Sequence, residues 1–494
     1  MPTMPRELWT AAQVRELDRR AIEEHGIPGR ELMERAGLAA LDALRRRWPA
    51  ARDLAILCGG GNNGGDGYVL ARRAREQGLA VEVLALADPE ELRGDAATAW
   101  ADYRQSGGAV ERWADGQVLP GRGPVVDGML GTGLDRPPAG HYAAAVEAIN
   151  SSGRQVLALD IPTGLHADTG RELGVAVRAD LTVSFIGLKL GLFTGRGRAR
   201  TGELVFEPLG VPPGLAAGLR PAGQRLEAGQ LRHWLPPRER DAHKGRFGHV
   251  LVLGGDYGMG GAALLAGRAA LRAGAGLVSV ATRPEHAATM FAAQPELMCR
   301  GVTGPADIEP MLARATVIAA GPGLGRSPWA QALLGAALDS GLPSILDADA
   351  LNLLSEDARP PGRWVLTPHP GEAARLLDTV AGEIEADRPA ALRALHARYP
   401  CTIVLKGAGT LVAGHGPVPW LCDAGNPGMA SGGMGDVLTG LIAGLAAQLH
   451  DLEQAACAGV LVHALAADEA ARRGERGLAA SDLIGQVGGW VNPR

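Results

Sequence analysis

The amino-acid sequence predicts an α/β protein built as two αβα sandwich domains, and two observations carry that expectation. Short runs rich in Val, Leu and Ile alternate with Ala/Leu/Arg-rich stretches through both halves, as stacked βα units around a mainly parallel sheet require. At 494 residues the chain also exceeds what a single ordinary core supports, so two domains are expected. The stretch from Leu209 to Arg240 is dense in Pro and Gly without periodicity. It puts the junction near residues 215–235, and the domains at 1–220 and 221–494.

In the first half, Thr10 followed by Gln13 reads as a capping box opening a helix. Strands are expected at Leu54–Cys58, Val81–Leu86, Val125–Met129, Val156–Asp160 and Leu181–Ile186, with helices at Tyr68–Gln77, Pro89–Gln105 and Tyr142–Asn150. The second half repeats the grammar. Its strands are expected at Val250–Leu253, Leu277–Ala281, Thr316–Ala320, Ser344–Asp347, Trp364–Thr367 and Thr402–Leu405. Its helices are expected at Gly261–Arg272, Ala330–Asp339, Arg388–Ala397, Gly435–Gln448 and Leu452–Arg472.

Composition narrows the function. A net charge of -5 argues against a nucleic-acid or membrane-surface partner, which a basic face would serve. Cys58, Cys299, Cys401, Cys422 and Cys457 are scattered without a CxxC pair, as expected of reduced thiols in a cytoplasmic protein. Met1 to Ile22 is charged and has no apolar core, so no secretory signal is expected. The apolar run Val437 to Leu449 is too short to span a bilayer. Gly/Ala-rich helices leave room for close packing between subunits, so a homo-oligomer stays open. Lysine survives only at Lys189, Lys244 and Lys406 among 49 basic residues. A lysine kept against so strong a drift to Arg is a mild pointer to a position that needs an ammonium group.

In doubly wound sheets, ligands bind beyond the carboxyl ends of the strands. After the first strand comes Gly59-Gly60-Gly61-Asn62-Asn63-Gly64-Gly65-Asp66-Gly67. Its glycines let the backbone approach a ligand, and the next helix offers free N–H donors. It matches neither GxGxxG nor a P-loop. Asp127 precedes Gly128-Met129-Leu130-Gly131-Thr132-Gly133-Leu134, and Asp160 opens Asp160-Ile161-Pro162-Thr163-Gly164. Asn63, Asp127 and Thr163 together offer oxygens to a hard cation, and Asp160 suits acid–base work. Alone, each Asp is more simply a cap or turn residue; three such loops on one sheet edge favour a site.

These three motifs resemble the YjeF N-terminal domain, the NAD(P)HX epimerase family, over about residues 8 to 215, and imply a Rossmann-like fold. That family interconverts the R and S forms of hydrated NADH or NADPH and binds potassium. The resemblance implies substrate contacts at Asn62, Asn63, Gly64, Gly65, Asp66, Gly131, Thr132, Gly133, Leu134, Asp135, Arg136, Pro137 and Tyr142. It also implies a catalytic Asp160 and a potassium ion held by Asn63, Asp127 and Thr163; Lys189 fits the pattern with its role open.

The second half is denser in motifs. Gly254-Gly255-Asp256-Tyr257-Gly258-Met259-Gly260-Gly261-Ala262 and Gly321-Pro322-Gly323-Leu324-Gly325 each follow a strand. Asp347 to Asn352, Thr367-Pro368-His369-Pro370-Gly371-Glu372 and Lys406-Gly407-Ala408-Gly409-Thr410 follow others. The most informative is Asn426-Pro427-Gly428-Met429-Ala430-Ser431-Gly432-Gly433-Met434-Gly435-Asp436. Its glycines expose N–H groups at a helix start, where the macrodipole favours a phosphate. Asp436, in the first turn, is placed to take a hydroxyl proton while a phosphoryl group transfers. Simple helix capping is the plain alternative; it does not explain three glycines clustered before an acid. Lys406 suits a phosphate contact or a solvated turn. His369, between two prolines, is expected to aim its ring into the cleft, with a structural hydrogen bond as the alternative.

This set resembles the ribokinase-like superfamily and, within it, the ADP- or ATP-dependent NAD(P)HX dehydratase family, over about residues 225 to 490. The domain order is that of bifunctional bacterial repair enzymes, which favours ADP. The resemblance implies nucleotide contacts at Lys406, Gly407, Ala408, Gly409, Thr410 and Gly435. Substrate contacts would come from Ala262, Gly323, Gly325 and His369, with Asp436 as catalytic base. Magnesium is expected with ADP, coordinated mostly by its phosphates. The expected substrates are NADHX and NADPHX. The alternative is a ribokinase-like kinase of a small alcohol behind a non-catalytic binding domain; Asp436 alone does not separate the two.

Overall fold

The computed structural model describes residues 4–357 and 359–493. The chain divides into two compact units, Met1–Gln224 and Arg225–Arg494. Each is an α/β sandwich, as the alternating pattern implies.

In the first unit the strands lie in the order Val110–Arg112, Ala80–Ala85, Asp53–Cys58, Val125–Gly128, Val156–Leu159, Leu181–Phe185, Glu203–Glu207, and every pairing is parallel. The chain builds outward from Asp53–Cys58 to one edge, then returns to build the other side from Val125–Gly128. The winding therefore reverses between these two strands, where their carboxyl ends leave a crevice. Val125–Gly128 and Val156–Leu159 are buried at every position, as strands covered on both faces must be.

 The capping box at the first helix is formed: Thr10 Oγ1 accepts the Gln13 N–H, and Gln13 Oε1 accepts the Thr10 N–H at 3.0 Å.

In the second unit the order is Trp420–Cys422, Thr410–Ala413, Thr402–Leu405, Trp364–Leu366, Ser344–Leu346, Val317–Ala320, His249–Leu253, Leu277–Thr282, Met298–Gly301. Pairing is parallel except where Thr402–Leu405, Thr410–Ala413 and Trp420–Cys422 form an antiparallel meander. Here the winding reverses between His249–Leu253 and Val317–Ala320. The helix Met434–Leu449 is buried along nearly its whole length, and its glycines explain how. A Cβ on Gly440 would overlap the Ala266 carbonyl oxygen of the helix Gly260–Ala273, and one on Gly444 would lie 2.6 Å from the Ala270 carbonyl oxygen. Small residues here let two backbones approach, and the surrounding Leu, Ile and Val side chains each contribute roughly 1.5–3 kcal/mol on burial.

The structure adds elements that the expected set lacks, among them the helices Gly29–Arg47, Pro284–Ala293, Pro305–Leu312 and Ala480–Trp490 and the strand Glu203–Glu207, and it departs from expected elements as well. The helix expected from Tyr68 begins at Asn62, so Asn62 to Asp66 form its first turns and are not a loop. The single helix expected over Pro89–Gln105 is broken: a 3-10 turn covers Pro89–Glu91, and Gly94, at φ 59°, starts a separate helix Gly94–Gln105. Edge strands such as Val110–Arg112 and Met298–Gly301 carry too little apolar periodicity to be seen in advance. Among the described residues no helix is long and apolar enough to cross a membrane.

Candidate active sites

The crevice of the first unit opens into a cavity of about 1140 Å³. Asn62, Asn63, Asp66, Gly131, Thr132, Gly133, Leu134, Asp135, Arg136, Pro137, Tyr142 and Asp160 all line it. Gly64 and Gly65 do not. They are buried, and Cβ atoms there would collide with the Gly59 carbonyl and with Met33. Most glycines of this run serve close helix–strand packing; at Gly61 a Cβ would meet nothing within 4 Å, so this is the point where the backbone faces open space. Gly61 also leads the helix Asn62–Glu76 without a side-chain cap, leaving N–H groups for an anion.

Beneath the cavity floor, Asp127 and Thr163 are fully buried. Asp127 Oδ1 accepts the Thr163 hydroxyl at 2.7 Å and the Met129 N–H at 3.2 Å, while Oδ2 accepts the Thr163 N–H at 2.8 Å. Burial pushes the Asp127 carboxyl up to about 6, against the pull of those hydrogen bonds. Asn63 is buried against Gly128 and Gly131 of the loop that Asp127 opens, and neither its Oδ1 nor its Nδ2 has a hydrogen-bond partner. An orphaned amide oxygen costs roughly 1–3 kcal/mol, which a cation bound by that oxygen would offset. The donor set is all oxygen, as a hard cation requires.

Asp160 stands at φ 64° at the end of Val156–Leu159. Its Oδ1 is paired with Lys189 Nζ and accepts the Phe185 N–H at 3.3 Å. Lys189 is 0% exposed and also donates to Ser184 Oγ and the Phe185 carbonyl, both at 3.2 Å. Three donors therefore meet three acceptors, and the ammonium is fixed. This answers the role left open for Lys189: it holds Asp160. Asp18, which sequence reasoning missed, lines the same cavity. It lies on the helix Ala11–Glu23 with no motif around it to single it out.

In the second unit the loops at the reversal are knitted together: Gly255 N–H donates to the Pro322 carbonyl at 3.1 Å and Asp256 N–H to the Gly323 carbonyl at 2.6 Å. Gly323 and Gly325 take φ values of 57° and 71°, a conformation glycine adopts without strain. Gly325 N–H donates to Asp349 Oδ2 at 2.8 Å. Ala262 sits in the first turn of the helix Gly260–Ala273, whereas Leu324 is 0% exposed and belongs to the core.

Further along the sheet edge a charged cluster forms. Lys406 Nζ lies 2.6 Å from Asp347 Oδ1 and 3.6 Å from Glu372 Oε2. Burial pulls the Lys406 ammonium down, but Asp347 and Glu372 outweigh it and hold it above its ordinary value. The Thr439 hydroxyl lies 2.8 Å from Asp347 Oδ2. A Cβ on Gly435 would sit 3.3 Å from Asp347 Oδ2 and 3.5 Å from Lys406 Nζ, so the helix start rests against this pair. Gly433, at φ 89°, begins the helix with no side-chain cap. Asp436 follows in the first turn. Burial, reinforced by Asp347 and eased by Lys406, pushes its carboxyl up to about 7.

His369 caps the helix Pro370–Leu376: its Nδ1 accepts the Gly371 N–H at 2.9 Å, and Glu372 Oε2 accepts the His369 N–H at 2.8 Å. The structural hydrogen bond is thus present, and half of the ring stays exposed. Gly407, Ala408, Gly409 and Thr410 form the turn after Thr402–Leu405, with Thr410 Oγ1 donating to the Gly407 carbonyl at 3.0 Å. The turn is braced by Arg388, a second residue not anticipated. Its buried guanidinium donates to the Leu405, Lys406 and Gly409 carbonyls at 3.2, 3.1 and 3.5 Å.

Fold and sites define a two-unit α/β protein with an oxygen-lined cleft in one unit and an acid at an uncapped helix start in the other. Residues 250–487 match the family model described as NAD(P)H-hydrate dehydratase, and residues 29–191 match that of the YjeF-related protein N-terminus. The chain is 48% identical to a bifunctional NAD(P)H-hydrate repair enzyme of Coxiella burnetii, covering 98% of this chain and 99% of the relative. It is 44% identical to the Escherichia coli enzyme of the same description, with 99% and 95% covered. A ribokinase-like superfamily protein from Enterococcus faecalis is 31% identical with a TM-score of 0.51, covering 54% of this chain and 94% of that one. The chain belongs to the family of bifunctional NAD(P)H-hydrate repair enzymes.

Proposed function

We propose that the two units repair hydrated nicotinamide cofactors in sequence. The first, residues 1–220, interconverts the R and S forms of NADHX and NADPHX. The second, residues 221–494, dehydrates the S form to NADH or NADPH at the expense of ADP. The observation that carries the reading is Asp436, raised to about 7 at an uncapped helix start, beside the Lys406–Asp347 pair. A base with such a value takes a hydroxyl proton near neutral pH. The helix N–H groups and the macrodipole meanwhile receive the phosphoryl group. Transfer from ADP leaves AMP and a phosphate ester on the ring carbon. The ester's C–O bond then breaks with its electron pair leaving on phosphate, the neighbouring carbon gives its proton to water, and the double bond returns.

The turn from Lys406 to Thr410 and Gly435 serve the nucleotide, and Ala262, Gly323, Gly325 and His369 the hydrate. Lys406, already held by Asp347, acts as a fixed charge at the phosphates. Magnesium accompanies ADP, supplying charge neutralisation to its phosphates. In the first unit, the orphaned amide of Asn63, with Asp127 and Thr163, suits potassium, which would supply a fixed positive charge there. Asp160 performs acid–base work there.

The test is to supply the full chain with S-hydrated NADPH and ADP and to follow recovery of the NADPH absorbance. Recovery is expected. Phosphorylation of an unrelated alcohol with no recovery would sink the repair reading.

A further inference from the structure

Water adds to a dihydropyridine across the double bond next to the ring nitrogen, so the hydroxyl of the hydrate sits on a carbon bonded to nitrogen. Inverting that carbon by exchange of the hydroxyl needs two proton-handling groups. One protonates the departing oxygen, and another takes a proton from the water that arrives on the opposite face. Asp160 supplies only one of them. Lys189 does not supply the other, because its three protons are committed to Asp160, Ser184 and the Phe185 carbonyl inside a fully buried pocket.

The cavity offers two further carboxyls, Asp18 and Asp66. Neither forms a side-chain hydrogen bond among the described residues. Burial raises both, and for Asp18 the approach of Asp160 adds to it while Lys189 and Arg15 oppose it. The Asp18 carboxyl comes to about 6, close enough to neutrality to give and regain a proton. Asp66 is driven well above the ordinary carboxylate range by burial, with Asp160 and Asp18 adding to it. The groups bearing on Asp18 are therefore Lys189, Asp160, Asp66 and Arg15.

We propose that Asp18 is a catalytic residue of the first unit, giving its proton to the departing hydroxyl while Asp160 receives one from the incoming water. This rests on the epimerase reading of that unit. The C–O bond breaks with its electron pair going to oxygen, Asp18 delivers the proton, and water leaves. The ring nitrogen's lone pair forms a C=N bond. Water then bonds to the carbon from the other face, the C=N electrons return to nitrogen, and Asp160 takes the surplus proton. Asp18 ends ionised and Asp160 protonated, which is the state the reverse reaction needs; one site thus serves both directions.

The experiment uses the full chain with R-hydrated NADPH, without ADP, separating the epimers by chromatography and subtracting the spontaneous rate. Asp18→Asn is expected to lower kcat for epimerisation about 10²-fold or more with KM little changed. Recovery of NADPH from the S form with ADP, in the same preparation, should stay at the wild-type rate and so report an intact second unit, while the little-changed KM for the R form reports an intact first one. The wild-type epimerisation rate should fall as pH rises through the Asp18 range, and Asp18→Asn should remove that limb while Asp18→Glu retains it. In water enriched in ¹⁸O, product should carry the label. If the wild-type chain does not epimerise the R form, the epimerase reading fails. If it does, but Asp18→Asn keeps its kcat, loses only KM, or no label enters the product, the proposal fails alone. Transfer of the pH limb to Asp66→Asn would likewise overturn it.

Discussion

Lys406 Nζ sits 2.6 Å from Asp347 Oδ1 directly under the helix start that carries Asp436, since a side chain on Gly435 would touch both. Asp347 therefore has two effects: it fixes the ammonium, and its charge raises the Asp436 carboxyl. Dehydration needs Asp436 as carboxylate, so the rate should climb with pH through about 7 and then level. Asp347→Asn removes one negative charge and should move that rise to lower pH. A pH profile of kcat/KM for the S form checks it; an unmoved limb would contradict the coupling.

Asp436→Asn should abolish most dehydration, by about 10²- to 10⁴-fold, while epimerisation continues. The same change should alter stability with a definite sign. The folded carboxyl is raised from 3.8 to about 7. Its favourable contribution is therefore complete below the unfolded value and lost as pH rises through about 7. At pH 8 the charged, largely buried group costs stability, and the neutral amide should melt higher than the wild type. At pH 3 the difference should vanish.

Arg388 ties three carbonyls of the nucleotide turn with one buried guanidinium. Arg388→Ala removes one buried donor shared by those carbonyls and should cost about 3 kcal/mol, read from denaturant unfolding. In protein that remains folded, the KM for ADP should rise. Arg388→Lys should not restore it, because one ammonium does not reproduce the planar fork.

Gly61 and Gly64 separate backbone access from packing. Gly64→Ala would push a methyl into the Gly59 carbonyl and should disrupt the first unit, seen as lost thermal stability. Gly61→Ala meets nothing within 4 Å and should melt close to the wild type while raising the KM for the hydrate.

The fold was legible because parallel strands buried on both faces read as continuous apolar runs, such as Val250–Leu253 and Thr402–Leu405. The crevice was legible too, since Asp127 lies at the end of one strand and Asp160 and the glycine run each follow another. What the sequence concealed is of three kinds. The helix start at Asn62 was hidden because glycines at 64, 65 and 67 have poor helix propensity, which the tertiary packing overrides. Arg388 and Asp18 lie on helices without motifs around them, and only folding brings them to their sites. The third is pairing: Lys406 is visible as a rare lysine, but its anchor Asp347 lies 59 positions away.

Asp160 carries its carboxylate on a left-handed backbone at φ 64°. Apart from glycine, only Asp and Asn visit that region with ease. A mutational path leading away from this residue is accordingly narrow. Alanine or glutamate there would disturb the geometry of the strand end as well as the chemistry, so any loss of activity would have two causes. Asparagine keeps both shape and backbone. It is the one exchange at this position whose outcome can be read as chemistry alone, and the one a drifting lineage would cross first on its way to a unit that binds the hydrate without turning it over.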